Sequence, residues 1–543
     1  MKLKTYQIWI LPIISSLLLS CGWMQGAFQL LLFLGFIPIL IVEEHYYQQS
    51  DRYRSFRIFP KAFLAFFLWN CISAWWIWNA SAAGVLMVVV FNSTFMATTF
   101  WLFHATKRIL GRRLGYIAFI AYWIGFEYLH INWELAWPWF TLGNGLSENI
   151  SIIQWYEYTG VLGGSLWILL INVLFAESII KYITNAKNRL TVKSLLSLAI
   201  IITLPLTISI IIYKNYKEKG NPVNVVVVQP NIDPYTDKFG GMAVKEQLDE
   251  FISLAESLTD EKTDYIVGPE TAISESIWEE DFSTHPSILL LKKLNYKFPK
   301  AKLVIGASTV RMFKPGEKIS VSAREFSKEE GFYDSYNTAL QIDTTNIIQS
   351  YHKSQLVLGV EKMPFAGTFG FIKDLSIELG GTSGSLGSQE EPNVFNSANN
   401  IAKVAPVICY ESIFGEYITE YINKGSDIIF VITNDGWWGN TPGYRQHLSY
   451  SSLRAIETRR DIARSANTGI SCFINQLGEI RQQTKWWTPA AIKDTLYANN
   501  GITFYVKTGD YIGKIAALIS IILFVFYLSS SIKKKFKRQE HGK

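Results

Sequence analysis

Eight apolar segments, each about as long as a bilayer-spanning helix, constrain this chain more than any other feature. They lie near residues 7–23, 26–42, 61–79, 84–104, 114–130, 161–179, 194–213 and 511–530. A helix needs ~20 predominantly apolar residues to cross the hydrocarbon core of a bilayer. A single segment of this kind is also compatible with a buried helix of a soluble protein, but eight of them indicate a polytopic membrane protein.

Basic residues alternate between the loops that join these segments. They occur at the N-terminus, in every second loop and in the C-terminal tail, whereas the stretches 22–26, 79–84 and 131–160 contain no Lys or Arg. Cytoplasmic loops are enriched in Lys and Arg, so both termini are predicted in the cytoplasm and residues 214–510 on the opposite side of the membrane. The basic residues of these cytoplasmic loops and termini largely account for the net charge of +6, which therefore gives no signal for nucleic-acid binding.

The shortage of charge divides the chain into domains. Charged residues make up 18% of the sequence, against about 25% in soluble proteins, and the shortage lies in the membrane segments. We predict a transmembrane domain of seven helices at 1–213, a soluble domain at 222–505, and a C-terminal transmembrane helix with a basic tail at 510–543. Strands that alternate with helices in the soluble domain favour an α/β sandwich. A long helix is expected near 447–466, with its Lys/Arg–Glu pairs in solvent.

The four cysteines do not form a disulfide framework, because two lie in or beside membrane segments. The N-terminal MKLK, its apolar run and Cys21 resemble a lipoprotein signal. Leu19 is bulky where a cleavage site takes a small residue, and a second apolar segment follows. We therefore predict that the first span is retained. Cys472, in the strand-like GISCFIN, is expected in the core.

Three residues that differ in chemistry are predicted at strand ends. Cys409 follows the apolar run VAPVI, Glu270 follows DYIVGP, and Lys353 follows a strand ending in YH. A thiolate nucleophile needs a base to take its proton and a cation to stabilise negative charge. Each residue also has an ordinary interpretation: a buried apolar Cys, a turn Glu and a surface Lys. A Cys–His pair that uses His352 or His447 is a rival arrangement, although neither histidine is predicted at such a strand end.

The segments IVGPET, YHKSQLVLGVE and VICYES, in this order, resemble the Glu-Lys-Cys signature of the nitrilase, or carbon–nitrogen hydrolase, superfamily. Seven spans before such a domain and one after it resemble the apolipoprotein N-acyltransferase family. The resemblance implies a multi-domain fold, in which an eight-helix transmembrane bundle carries an α/β nitrilase-like αββα sandwich.

The resemblance also implies roles for individual residues. Glu270 is the expected general base, Lys353 the oxyanion-stabilising lysine and Cys409 the acyl-accepting nucleophile. Supporting or substrate-binding residues are expected at Glu361, Tyr410, Glu411, Trp437 and Trp438.

Two departures from the family pattern affect the surroundings of the site. KMPFAGTF replaces the usual Pro-Phe-Gly-Glu context, so Glu361 is assigned by its spacing from Lys353. The tryptophan expected after the first outer strand is absent, and Phe239 is its candidate substitute.

The implied activity is transfer of a fatty acyl chain from a membrane phospholipid to the N-terminal α-amine of a diacylglyceryl apolipoprotein through a Cys409 thioester, with no metal or cofactor. This is the final step of bacterial lipoprotein maturation. We expect a monomer embedded in the bacterial inner membrane, with a periplasmic catalytic domain. The alternative is a membrane-tethered nitrilase-type amidohydrolase. A transporter would require charged residues within the spans, of which Glu177 is the clearest candidate.

Overall fold

The chain forms two compact units. The computed structural model describes residues 2–24, 26–49, 54–184, 192–326, 331–365, 385–397 and 401–541. The first unit combines Met1–Trp75, Ala83–Asn215 and Asp510–Lys543, and the second combines Trp76–Ala82 with Tyr216–Gly509. Part of the Gly/Ser-rich segment 380–392 lies outside the described residues, as does part of KMPFAGTF.

The first unit is helical. Its helices are α1 (Thr5–Ser20), α2 (Ile37–Gln48), α3 (Phe59–Ala74), α4 (Ala82–Met87), α5 (Ser93–Leu110), α6 (Arg112–Ile131), α7 (Tyr156–Thr184, kinked at Gly160), α8 (Val192–Asn215) and a C-terminal helix, Tyr511–His541. Some are extended by short 3₁₀ or π turns. Among the described residues, eight helical segments are long and apolar enough to cross a membrane: Thr5–Trp23, Gly26–Gln48, Ser55–Asn79, Gly84–Leu110, Arg112–Ile131, Tyr156–Thr184, Leu196–Asn215 and Tyr511–Lys534. The eight predicted segments are confirmed, and the chain is a membrane protein.

A buried ion network inside the first unit was not predicted. Lys107 lies on α5, and its Nζ is 2.5 Å from Glu43 Oε2 and 3.1 Å from Glu44 Oε2. His104 Nδ1 lies 2.7 Å from Glu43 Oε1. These groups lie near the ends of the second and fourth membrane-crossing segments, and their charges pair with one another as apolar surroundings require. Glu177, the residue singled out from sequence, is only partly buried.

The second unit contains two β-sheets. The first has the strand order β13-β1-β2-β4-β6-β5, with β3 paired to β4 and β7 paired to β6; the second has the order β12-β11-β10-β9-β8. The strands are β1 (Asn221–Gln229), β2 (Tyr265–Val267), β3 (Ile273–Trp278), β4 (Lys302–Met312), β5 (Arg324–Glu325), β6 (Phe332–Ile342), β7 (Gln349–His352), β8 (Val404–Ile408), β9 (Ile428–Thr433), β10 (Ile462–Ala466), β11 (Cys472–Ile474), β12 (Ile480–Arg481) and β13 (Ala490–Ala498).

Helices cover the outer face of each sheet. The apolar sides of α9 (Val244–Leu258) and α10 (Pro286–Lys297) pack on the first sheet. The inner faces meet where the rings of Tyr265 and Phe430 lie 5.2 Å apart. The second sheet is covered by α11 (Gly415–Asn423) and α12 (Pro442–Thr458), and a short α13 (Phe504–Thr508) follows β13. Because the inner strands are buried on both faces, they are continuous apolar runs such as VVVV in β1. This helix–sheet–sheet–helix order confirms the predicted α/β sandwich.

The predicted helix at 447–466 is wrong in its extent and in its environment. α12 ends at Thr458 because Arg459 adopts a left-handed backbone, with φ of 52°, and residues 462–466 form β10. The expected solvent-exposed ion pair on this helix is also buried. Arg454 Nε lies 2.9 Å from Glu457 Oε2, and Arg454 donates a hydrogen bond to the Ile413 carbonyl. The pair helps to hold the turn that follows β8.

Candidate active site

The three strand-end residues come from both sheets. Glu270 follows β2 after a Gly-Pro turn, Lys353 directly follows β7, and Cys409 directly follows β8 in the second sheet. Gly306 of β4 lets the chain pass Glu270 closely, because a Cβ atom there would lie 2.7 Å from Glu270 Cα and 2.4 Å from the Thr271 nitrogen. Residues that follow strands of both sheets, and that lie far apart in the chain, are thereby brought together.

Lys353 and two carboxylates form a closed network. The Lys353 ammonium donates to Glu270 Oε1 at 3.2 Å and to Glu361 Oε1 at 2.9 Å. Asn337 of β6 donates to the same two oxygens at 2.8 and 3.2 Å. The backbone nitrogen of Asn434 donates to Glu270 Oε2 at 3.0 Å. Both oxygens of Glu270 are therefore fixed in position, as a base acting on a defined proton requires.

The charge of Lys353 is strongly favoured. Burial opposes that charge, but the carboxylates of Glu270 and Glu361 together raise the pKa of Lys353 well above its ordinary value. The side chain is 1% exposed. Lys353 is therefore a permanent buried cation, of the kind that stabilises an oxyanion formed beside it.

Cys409 occupies a strained position at the start of a 3₁₀ turn, Cys409–Ile413. Its φ is 50°, a left-handed conformation that costs a non-glycine residue about 1–2 kcal/mol. Burial and the charge of Glu270 raise the pKa of the thiol well above its ordinary value, while Lys353 acts in the opposite direction. The resting group is a neutral thiol, so its reaction as a nucleophile requires proton transfer to a base.

Glu411 ties the turn that begins at Cys409 to the loop that carries Lys353. Its carboxylate accepts hydrogen bonds from Tyr351 Oη at 2.5 Å, from the Ser354 nitrogen at 2.7 Å and from the Ile408 nitrogen at 2.8 Å. The side chain is fully buried, and burial raises its pKa to about 7.

Tyr410 is also buried, and its ring packs edge-to-face on Phe414 at 5.3 Å. It therefore lies in the packed interior behind the turn.

The two tryptophans of the loop after β9, Trp437 and Trp438, have different aromatic neighbours. Trp437 stacks on Phe239 with ring centroids 6.2 Å apart. Trp438 contacts Trp76 at 4.9 Å and His447 at 5.6 Å. Phe239, the candidate substitute for the missing tryptophan, therefore stacks on a tryptophan of this loop.

His447, one of the two histidines considered for a rival Cys–His pair, lies close to Cys409. Its Nε2 is 3.1 Å from the Cys409 carbonyl oxygen and 2.9 Å from Ser412 Oγ, and its Nδ1 is 3.0 Å from Asp435 Oδ1. Donor atoms of Cys409, Asp435 and His447 all lie within 4.8 Å of one another, as in a metal site. Both Asp435 oxygens, however, are already bonded: Oδ1 to Thr433 and His447, and Oδ2 to Arg464 at 2.5 Å. We interpret this cluster as a support for the turn Cys409–Ile413. The rival His352 instead contacts Glu279 at 2.5 Å and stacks on Tyr336.

Sequence reasoning missed two further residues of the site, Asn337 and Lys238, and it named His447 only as a member of a rival Cys–His pair. Asn337 lies inside a strand and His447 inside a helix, where neither has a local motif. Lys238 directly precedes Phe239, the expected substitute for the missing tryptophan. That neighbour was the one feature of the sequence that pointed to Lys238. Its ammonium is buried and donates to the Glu270 carbonyl oxygen at 3.0 Å.

Two protein-family models match the chain. The model described as the apolipoprotein N-acyltransferase N-terminal domain matches residues 15–174, and the carbon-nitrogen hydrolase model matches residues 224–499. The chain is 28% identical over 526 residues to a protein of Chlorobaculum tepidum named apolipoprotein N-acyltransferase, covering 94% of this chain and 95% of that protein. A protein of the same name from Thermotoga maritima is 27% identical over 536 residues, covering 92% and 90%. Among solved structures, a CN-hydrolase superfamily protein from Xanthomonas campestris is 14% identical with a TM-score of 0.35, covering 51% of this chain and 91% of that one.

Proposed function

Because the chain belongs to the apolipoprotein N-acyltransferase family and carries a carbon–nitrogen hydrolase domain, we propose that it transfers a fatty acyl chain from a membrane phospholipid to the N-terminal α-amine of diacylglyceryl-cysteine apolipoproteins. The observation that carries the proposal is the buried Glu270–Lys353–Glu361 network beside a strained, neutral Cys409. Such a set supports acyl transfer through a covalent thioester.

The first half-reaction loads the enzyme. Glu270 takes the proton of the Cys409 thiol, and the sulfur attacks the ester carbonyl carbon of the phospholipid. Lys353 stabilises the oxyanion of the tetrahedral intermediate. When the intermediate collapses, the carbon–oxygen bond breaks and the leaving oxygen takes the proton from Glu270. Lysophospholipid departs, and an acyl thioester remains on Cys409.

The second half-reaction unloads it. The neutral α-amine of the lipoprotein attacks the thioester carbonyl carbon, and Glu270 accepts a proton from the attacking nitrogen. Lys353 again stabilises the oxyanion, the carbon–sulfur bond breaks, and the proton returns to the sulfur. The products are an amide and the regenerated thiol, so the kinetics are ping-pong. The step needs a water-poor site, because water would compete with the amine.

The cellular setting follows from the substrates and the loop charges. Both substrates are anchored in a lipid bilayer, and eight segments of this chain are able to span one. We place the protein in the bacterial inner membrane as a monomer, with both termini in the cytoplasm and the catalytic domain in the periplasm. The asymmetry of Lys and Arg between alternate loops supports this orientation.

The test is mass spectrometry of the purified protein incubated with phospholipid alone. We expect an acyl adduct on the peptide that contains Cys409, which disappears when a diacylglyceryl peptide with a free α-amine is added. Cys409→Ala should abolish the adduct. Cys472→Ala, at a buried cysteine of β11, is the matched control and should retain it. An unmodified Cys409, together with hydrolysis of a small amide by the same preparation, would instead establish an amidohydrolase.

A further inference from the structure

Lys238 is a second buried lysine at the candidate active site. It lies in the segment between β1 and α9 and is 2% exposed. Its backbone nitrogen donates to the Asp233 carbonyl at 2.9 Å, and its own carbonyl accepts from Gln247 Nε2 at 3.0 Å. Its ammonium donates to the backbone carbonyl oxygen of Glu270 at 3.0 Å. Both the backbone and the end of the side chain are therefore held in place.

This ammonium differs from that of Lys353 in its partners. Lys353 is shared between two carboxylates, whereas no carboxylate among the described residues lies within 4.0 Å of the Lys238 nitrogen. A buried charge without an ionic partner is costly. An ammonium has three N–H donors, and one of them is bonded to a neutral carbonyl. Such a cation is able to interact with negative charge that appears only during a reaction.

The charge of Lys238 is coupled to the reacting groups. Burial lowers the pKa of Lys238 to about 8, whereas Glu270 and Cys409 act in the opposite direction and favour the ammonium. Electrostatic coupling is reciprocal, so a positive charge on Lys238 favours negative charge that develops at the Cys409 sulfur. With a pKa of about 8, Lys238 is still mostly protonated at neutral pH.

We infer that Lys238 is a positioning residue that supplies a second cation to the site and favours both the Cys409 thiolate and the anionic intermediates of the two half-reactions. The part that concerns the intermediates rests on the proposed acyl transfer. The part that concerns the thiolate does not, because a thiolate is needed for any reaction at this sulfur. The two inferences can therefore fail independently.

The experiment measures alkylation of Cys409 by iodoacetamide as a function of pH, without any lipid. The rate is followed by mass spectrometry of the Cys409 peptide, with the buried Cys472 as an internal reference. Lys238→Met, which removes the charge and keeps the length, should lower the rate at pH 7 about tenfold and move the inflection up by about one pH unit. Lys238→Arg should restore most of the wild-type rate, because it restores the charge.

Lys292→Met is the matched control. Lys292 of α10 is 1% exposed, and its ammonium also donates to a backbone carbonyl, that of Thr345, at 2.6 Å. It belongs to no part of the site, so this variant should alkylate Cys409 at the wild-type rate. The other titratable groups near Cys409 are unchanged in all these variants: Glu270, Lys353, Asp435 and His447.

The inference is overturned if Lys238→Met keeps the wild-type pH profile, or if Lys292→Met shifts it equally. Lys238→Gln, a second neutral variant, serves if the methionine variant does not fold. A shifted profile in a protein that never forms an acyl adduct would support the role of Lys238 and reject the acyltransferase. If the acyl adduct forms in Lys238→Met at the wild-type rate, the lysine has no role in acylation, and the inference is also overturned.

Discussion

Left-handed backbone conformations occur close to two of the candidate site residues. Seven described non-glycine residues have positive φ, among them Thr271, which follows Glu270, and Cys409, which follows β8. Strain of this kind persists only where the surrounding contacts determine the conformation. At Cys409 those contacts include the hydrogen bonds of Glu411 and His447.

This strain predicts that glycine is the more stable replacement at position 409. Cys409→Ala keeps a Cβ atom, which makes the left-handed conformation unfavourable by about 1–2 kcal/mol. Cys409→Gly has no Cβ atom and therefore lacks this penalty. We expect both variants to lack the acyl adduct, and Cys409→Gly to unfold at a higher denaturant concentration than Cys409→Ala. Equal midpoints would show that the backbone around the nucleophile is not strained.

Asp461 gives a prediction on pH and stability. The residue is fully buried between α12 and β10, and burial raises its pKa to about 7, from about 3.9 in an unfolded chain. Between these values the folded state holds a proton that the unfolded state has lost, so this group makes stability fall as pH rises from about 4 to 7.

Asp461→Asn removes this ionisation. Denaturant unfolding should therefore show similar stability for the variant and the wild type near pH 4, and a variant more stable by a few kcal/mol at pH 8. The Tyr497 nitrogen, which donates to Asp461 Oδ2 at 2.7 Å, retains an acceptor in the asparagine. A difference that does not depend on pH would contradict the assignment.

At the scale of elements, the carboxylate of Glu411 joins the two sheets. It connects the turn after β8 with the loop after β7 by accepting from the Tyr351 hydroxyl and from the backbone nitrogens of Ile408, Ser354 and Gln355. Glu411→Gln puts an NH₂ group where one of these donors now points. We expect a loss of about 1–3 kcal/mol in the free energy of unfolding, because a buried donor is left without an acceptor.

The same change should slow acylation of Cys409, since the turn is no longer fixed relative to Lys353. Glu391→Gln is the matched control, at a Glu that is 77% exposed and pairs with Lys424; it should alter neither stability nor the adduct, because exposed pairs contribute little. If Glu411→Gln keeps wild-type stability and acylation, the sheets do not depend on this carboxylate.

Local patterns in the sequence predicted elements better than they predicted partners. The apolar spans, and the strands before Glu270, Lys353 and Cys409, are properties of short continuous segments, and the structure has them where they were expected. The extent of α12 was missed because one left-handed residue, Arg459, ends the helix within a continuous pattern. Such a conformation in an arginine has no signature in composition.

Buried polar networks were missed because their members are far apart in sequence. Lys107 finds its carboxylates 63 and 64 positions away, and Arg464 reaches Asp435 across 29 positions. Each basic residue, taken alone, is typical of a loop or a surface. Only the packing of whole helices and strands decides that it is enclosed with an acid.

At the scale of the whole molecule, the second unit includes a short piece of chain from the membrane-spanning part of the sequence. Trp76–Ala82 contains the end of the third span and the start of the connection to the fourth, yet it is compact with Tyr216–Gly509. Trp76 is 1% exposed, and its ring contacts Trp438, which in turn contacts His447. Asn79 Nδ2 donates to the Trp438 carbonyl at 2.9 Å. The end of a membrane span thereby contributes to the surroundings of Cys409.

This arrangement predicts that Trp76 is required for the integrity of the site while its neighbour Trp78 is not. Trp76→Ala removes a fully packed ring and should cost about 3–5 kcal/mol, whereas Trp78, which is 63% exposed, should tolerate alanine with a far smaller loss. Because His447 Nε2 is bonded to the Cys409 carbonyl and Ser412 Oγ, loosening of Trp438 should also slow acylation in Trp76→Ala alone. Gly443→Ala tests the same packing from the other side, since its Cβ would lie 2.5 Å from the Trp76 ring. Thermal unfolding and the rate of adduct formation, measured for the three variants together, would refute this role if Trp76→Ala and Gly443→Ala behaved like Trp78→Ala.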